Sequence, residues 1–107
     1  MQNVLLTLTT VPDAETGYRI AKLLVEGGVA ACVTVLAPGM SVYRWQGRIE
    51  SAEERVMLIK TTVERYPALE EALRGAHPYE LPEILAVPVE AGLASYLAWV
   101  SDSVRVS

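Results

Sequence analysis

The chain reads as an α+β sandwich in which two strand-helix-strand halves share one sheet and a further helix closes the C-terminus. Three observations lead there. Runs of β-branched and aliphatic residues alternate with stretches of helical spacing in the order β-α-β-β-α-β. A tight turn at Gln46-Gly47-Arg48 joins two of the strand runs into a hairpin. Pro38-Gly39 interrupts that hairpin without ending it, which marks a bend in a long ribbon.

The first run, Val4 to Thr9, sets Val4, Leu6 and Leu8 on one face and Leu5, Thr7 and Thr9 on the other, which predicts a strand. Thr10-Val11-Pro12-Asp13 is a helix-start signal: a hydroxyl and a proline, then acids Asp13 and Glu15 in the first turn. Ala14, Gly17, Ile20, Ala21 and Leu24 keep helical spacing until Gly27-Gly28 ends the helix. Val29 to Leu36 is almost wholly apolar and predicts a strand buried on both faces. It resumes past the bend as Ser41 to Trp45. On the returning strand Glu50, Glu53 and Glu54 are expected in solvent, and Val56 to Thr62 in the core.

Thr61-x-x-Glu64 starts the second helix, whose apolar face is Tyr66, Leu69, Leu73 and Ala76. Ile84 to Val89 is the fourth strand and Gly92 breaks it. Leu93 to Val104 is the closing helix, fraying through Arg105-Val106-Ser107. Right-handed crossovers place the first two helices on one face of a four-stranded antiparallel sheet, the ferredoxin-like arrangement with a C-terminal helix and a long bent β-hairpin. The other sheet face is left without a cover. A second subunit is expected to supply one.

At 107 residues this is one domain, residues 1–107. Hydrophobic residues make up 51% of it and mean hydropathy is +0.27, more apolar surface than one small subunit hides. Net charge is −4, which argues against nucleic-acid and anionic-membrane partners. One cysteine precludes an intrachain disulfide or a Cys-rich zinc site. Met1-Gln2-Asn3 leads directly into strand pattern without a basic leader, so the expected setting is cytoplasmic.

Between the second helix and the fourth strand lies His77-Pro78-Tyr79-Glu80-Leu81-Pro82-Glu83. It holds the chain's one histidine, two prolines, a tyrosine and two carboxylates. Each proline pushes its predecessor out of the α region, so the segment is a stiff, shaped loop. No nucleophile elbow, P-loop or dinucleotide motif is present, and no enzyme is expected. Cys32, mid-strand among Ala30, Ala31 and Val33, reads foremost as a small buried hydrophobe. A metal site at a subunit boundary would draw on His77 with Glu80 or Glu83. Lys60, on an otherwise apolar strand, needs a partner, and Glu80 and Glu83 are the candidates. Tyr43 and Trp45, on the outer hairpin, are expected to pack against a neighbouring chain.

Ala30-Ala31-Cys32-Val33, Ser41-Val42-Tyr43-Arg44-Trp45-Gln46-Gly47-Arg48-Ile49-Glu50, Ile59-Lys60-Thr61-Thr62, His77 to Ile84 and Tyr96-Leu97-x-Trp99 together resemble the CutA divalent-cation-tolerance family. The resemblance spans essentially the whole chain. It implies a ferredoxin-like subunit in a tight homotrimer whose hairpins pair between subunits, and a role in the response to divalent cations, copper especially. It maps the family's metal-site histidine onto His77 and its A-A-C cysteine onto Cys32. Ala76 stands where some members have a second histidine, and Thr9 where some have a cysteine. The expectation is weak Cu(II) or other divalent-cation binding at His77, Cys32 and Glu80, and no other cofactor. A second expectation, by fold analogy with the trimeric PII signalling proteins, is a small-molecule cleft between subunits at Lys60, Tyr79, Glu80 and Glu83.

Overall fold

The computed structural model describes residues 3–106 and follows the expected order. The elements are β1 (Val4–Val11), α1 (Ala14–Glu26), β2 (Cys32–Trp45), β3 (Arg48–Thr62), α2 (Tyr66–Ala76), β4 (Leu85–Pro88) and α3 (Ala94–Val104). The strands form one antiparallel sheet in the order β2-β3-β1-β4. Expectations for Met1, Gln2 and Ser107 lie outside the described residues.

On one face α1 and α2 bury Ile20, Leu24, Leu69 and Leu73 against Val11, Met57 and Ile59. Gly17 lets α1 come close, since a Cβ there would sit 3.1 Å from Val35 and 3.2 Å from Val11 side-chain carbons. The opposite face is not bare. α3 lies on one end of it, packing Val100 and Val104 on Val4 and Ala31. That corrects the expectation of a wholly uncovered face. β2 is also an edge strand with Thr34 and Leu36 exposed, so in this chain it is not buried on both sides.

The hairpin has the expected length and bend. Register shifts between Val35 and Pro38, and Arg55 steadies the bulge by donating from Nη1 to the Leu36 carbonyl at 3.2 Å. Trp45 pairs with Arg48 across a two-residue turn, Gln46 at φ 51° and Gly47 at φ 80°, the left-handed pair a tight hairpin requires. The ribbon runs past the sheet and gives the molecule a 44 Å long axis against 25 and 23 Å.

Both helix starts differ in detail from the sequence reading. Asp13 caps α1, its carboxylate accepting the Thr16 N–H at 2.8 Å, while Thr10 stays in β1. Thr61 remains in β3, because pairing with β1 continues to Val4–Thr62, and its hydroxyl donates to the Val29 carbonyl at 2.7 Å. α2 therefore begins later, where Pro67 fits the first turn. β4 is shorter than expected, although the Val89 N–H still reaches the Val4 carbonyl at 3.0 Å. No helix among the described residues is long and apolar enough to cross a membrane.

Candidate functional site

Pro78 forces His77 out of the helix, and His77 ends α2 at φ −77°, ψ 136°. Its imidazole turns inward and is 8% exposed. Nε2 lies 2.8 Å from the Thr10 carbonyl, and Nδ1 accepts the Tyr79 N–H at 3.1 Å. A carbonyl can only accept, so Nε2 carries the proton and Nδ1 is bare. Both ring nitrogens are engaged.

Tyr79 continues the chain of contacts. Its ring tilts 54° to the imidazole at a centroid distance of 4.8 Å, and its hydroxyl donates to Glu54 Oε2 at 2.6 Å. Burial first, and the Glu54 carboxylate second, hold the phenol far above the usual tyrosine range. Thr10, His77, Tyr79 and Glu54 thus bind β1, the shaped loop and β3 together.

Between this loop and the hairpin opens a cleft of about 870 Å³. Tyr43 and Trp45 line its hairpin wall, Tyr79, Glu80 and Glu83 its loop wall, and Glu54 also borders it. Glu54 is 9% exposed, which corrects its reading as a solvated charge alongside Glu50 and Glu53. Alternation along β3 did carry a signal, because Glu54 shares a face with Val56 and Leu58. The register supplies the rest: Glu54 pairs with Gly39, which has no side chain to fill the space opposite.

Tyr43 and Trp45 line this cleft and stay 43% and 37% exposed within their own chain. By alternation along the ladder Met40, Val42 and Ile49 stand on the other side of the ribbon, 67%, 68% and 63% exposed, with Val42 also reaching the rim of the cleft. Sequence reading passed over these three.

Lys60 is not in the cleft. Six positions separate it from Glu54 along β3, roughly 20 Å at the usual strand rise. It pairs across the ladder with Cys32, beside Tyr96 of α3. Cys32 Sγ lies 3.5 Å from the Tyr96 hydroxyl. That contact, then burial, pushes the Tyr96 phenol up, while Lys60 pulls the other way. Within one chain, among the described residues, neither Glu80 nor Glu83 forms an ion pair with Lys60. Cys32, Lys60 and Tyr96 form a separate cluster under α3.

Residues 5–103 match the model of a family described as CutA1 divalent ion tolerance protein. The chain belongs to this family. A divalent-cation tolerance protein CutA from Thermus thermophilus is 43% identical over 96 residues, 90% of this chain and 93% of that protein. A CutA protein from Homo sapiens is 41% identical over 104 residues, 91% of this chain and 58% of that one. Of solved structures, CutA1 from Oryza sativa superposes with a TM-score of 0.94 at 34% identity, covering 99% of this chain and 97% of that one. Cut A1 from Thermus thermophilus gives 0.93 at 40% identity, covering 95% and 99%.

A CutA1 fold raises the question of a bound divalent ion, and the residues of one chain fit it poorly. Among the described residues no three of His, Cys, Asp and Glu come close enough to hold a metal. His77 would have to release Thr10 or Tyr79 to offer a lone pair. Cys32 lies with Tyr96, away from the cleft that Glu80 lines. Thr9, the position where some family members carry cysteine, is fully buried, its hydroxyl without a partner among the described residues.

Proposed function

We propose that this CutA1-family chain works as a non-enzymatic, cytoplasmic homotrimer in divalent-cation tolerance, and that it holds the metal itself, copper included, only weakly. The observation that carries the reading is the engagement of both His77 nitrogens by Thr10 and Tyr79. A cation arriving at this loop meets the carboxylates of Glu80 and Glu83 first, and carboxylates alone select poorly for copper. Support for the assembly comes from the ribbon, whose outer face presents Met40, Val42 and Ile49 beyond the reach of its own core. The cytoplasmic setting is part of the proposal. A solved CutA relative from Archaeoglobus fulgidus is described as periplasmic, so location needs its own test by fractionation.

A second reading, a trimeric small-molecule sensor, is favoured by the cleft, which is large enough for a ligand and lined by aromatic and acidic side chains. Sedimentation at micromolar concentration tests the first reading together with a Cu(II) titration. Three times the 11.7 kDa chain mass and a dissociation constant no tighter than roughly micromolar are expected. A monomer, or copper held at nanomolar strength, would refute it.

A further inference from the structure

We infer that the cleft takes a small organic ammonium, a primary or quaternary amine on an apolar frame, with Glu54 as the counterion at its base. The inference rests on the sensor reading of the cleft and names the chemistry of its ligand.

Charge decides the sign. The lining holds three carboxylates, Glu54, Glu80 and Glu83, and no lysine, arginine or histidine. Lys60 lies under α3 of its own chain and not in this lining, so an anion would meet repulsion and no compensating donor of full charge there. Glu54 adds an independent argument. It is more than nine-tenths buried, its Oε2 is met by a neutral phenol, and no cation of the described residues pairs with it. A carboxylate offers about four acceptor positions, and the Tyr79 hydroxyl takes one, so Glu54 keeps acceptor capacity and a full negative partner for a cation entering the cleft.

Shape decides between an inorganic and an organic cation. A divalent ion needs several ligand atoms converging within about 2.6 Å, and these carboxylates do not form such a group. They are spread around about 870 Å³ of space, which suits a molecule of several heavy atoms. The remaining walls are Tyr43, Trp45 and Tyr79, whose faces attract an ammonium group and whose carbon surface accepts an alkyl frame. Gly39, paired with Glu54, meets nothing within 4 Å of where a Cβ would stand, so the approach to the carboxylate stays open.

The test is an NMR titration of the intact protein at neutral pH with tetramethylammonium and with 1,4-diaminobutane, followed at the Trp45 indole and Tyr79 amide resonances. Propionate and Zn(II) serve as comparison probes. Saturable shifts with the ammonium probes are expected, weakened by roughly tenfold or more in Glu54→Gln, which keeps an acceptor for the Tyr79 hydroxyl. Glu83→Gln, on the exposed loop, should weaken binding by roughly threefold without touching the fold, and it guards against a Glu54 variant that folds poorly. Undiminished binding in both variants overturns the inference. Shifts with propionate and none with the amines overturn the ammonium class while leaving the small-molecule cleft standing. No response to any organic probe removes both. Binding confined to dissociated protein would show that a second copy of the chain fills the cleft, and would equally refute the inference.

Discussion

His77→Ala separates a structural histidine from a metal-binding one. The substitution deletes the 2.8 Å contact to the Thr10 carbonyl, the 3.1 Å bond from the Tyr79 N–H, and the tilted ring contact with Tyr79. Each hydrogen bond contributes ~1 kcal/mol net, and the ring pair adds ~0.5 to 1 kcal/mol. Because the site is buried, the abandoned backbone groups are poorly placed to recruit water, so the sum of ~2.5 to 3 kcal/mol is not discounted for exposure. That lowers the folded-to-unfolded ratio by roughly 70- to 150-fold.

Urea unfolding reads the effect, at one fixed protein concentration because assembly would add to stability. The midpoint should fall while Cu(II) affinity, weak to begin with, changes by less than about threefold. Rescue sharpens the test. A glutamine at position 77 restores a donor near the Nε2 position and an asparagine an acceptor near Nδ1, so each should recover ~1 kcal/mol. An unchanged midpoint with copper binding abolished would refute the reasoning, because it would mean the imidazole is free to serve a metal.

Two further outcomes follow from the same geometry. The raised Tyr79 phenol keeps its proton in the fold while the unfolded chain loses it above about pH 10, so the stability it supports is complete below that pH and declines as pH rises further. Tyr79→Phe should shed its share of the alkaline decline, leaving that of Tyr66 and Tyr96, whose phenols are also raised; an alkaline unfolding profile identical to the parent's would contradict the Glu54 contact. Ile49→Asp should drive the assembly towards smaller species on dilution in sedimentation, since covering a side chain of that size contributes ~1 to 2 kcal/mol per interface, whereas Trp45→Ala should do so less because Trp45 faces the cleft. The reverse ranking would mean the two faces of the ribbon have been assigned the wrong way round.

The fold was legible because its signals are local. Alternation in Val4 to Thr9, the helical spacing of Gly17, Ile20 and Leu24, and the Gln46-Gly47 turn are each decided within a few residues. Errors arose where pairing with a distant strand overrode a local cue. Thr61 carries a plausible cap, yet β3 keeps it because β1 continues alongside. The site was legible in part. Tyr79, Glu80 and Glu83 stand on one short loop, so the sequence shows them together. Glu54 and Lys60 stand on one strand, and within one chain only Glu54 borders the cleft. The apolar run around Lys60 made it look like the charge needing a partner, and the glutamates around Glu54 made it look solvated. What decided the matter was the cross-strand partner of each, Gly39 for Glu54 and Cys32 for Lys60, fixed by a bulge whose register shift no local pattern states.

That register also gives the hairpin two different faces. Antiparallel partners project to the same side. Tyr43 with Glu50 and Trp45 with Arg48 therefore share the cleft side with Glu54, whereas Met40, Val42 and Ile49 share the outer side. An isolated two-stranded ribbon is marginal in water. A partner chain seated on the outer face would hold the ribbon still, and with it the aromatic wall of the cleft. Under the trimeric reading, assembly and ligand binding are then linked through one element, and by reciprocity a ligand that orders Tyr43 and Trp45 must tighten the trimer by the same factor that the trimer tightens the ligand.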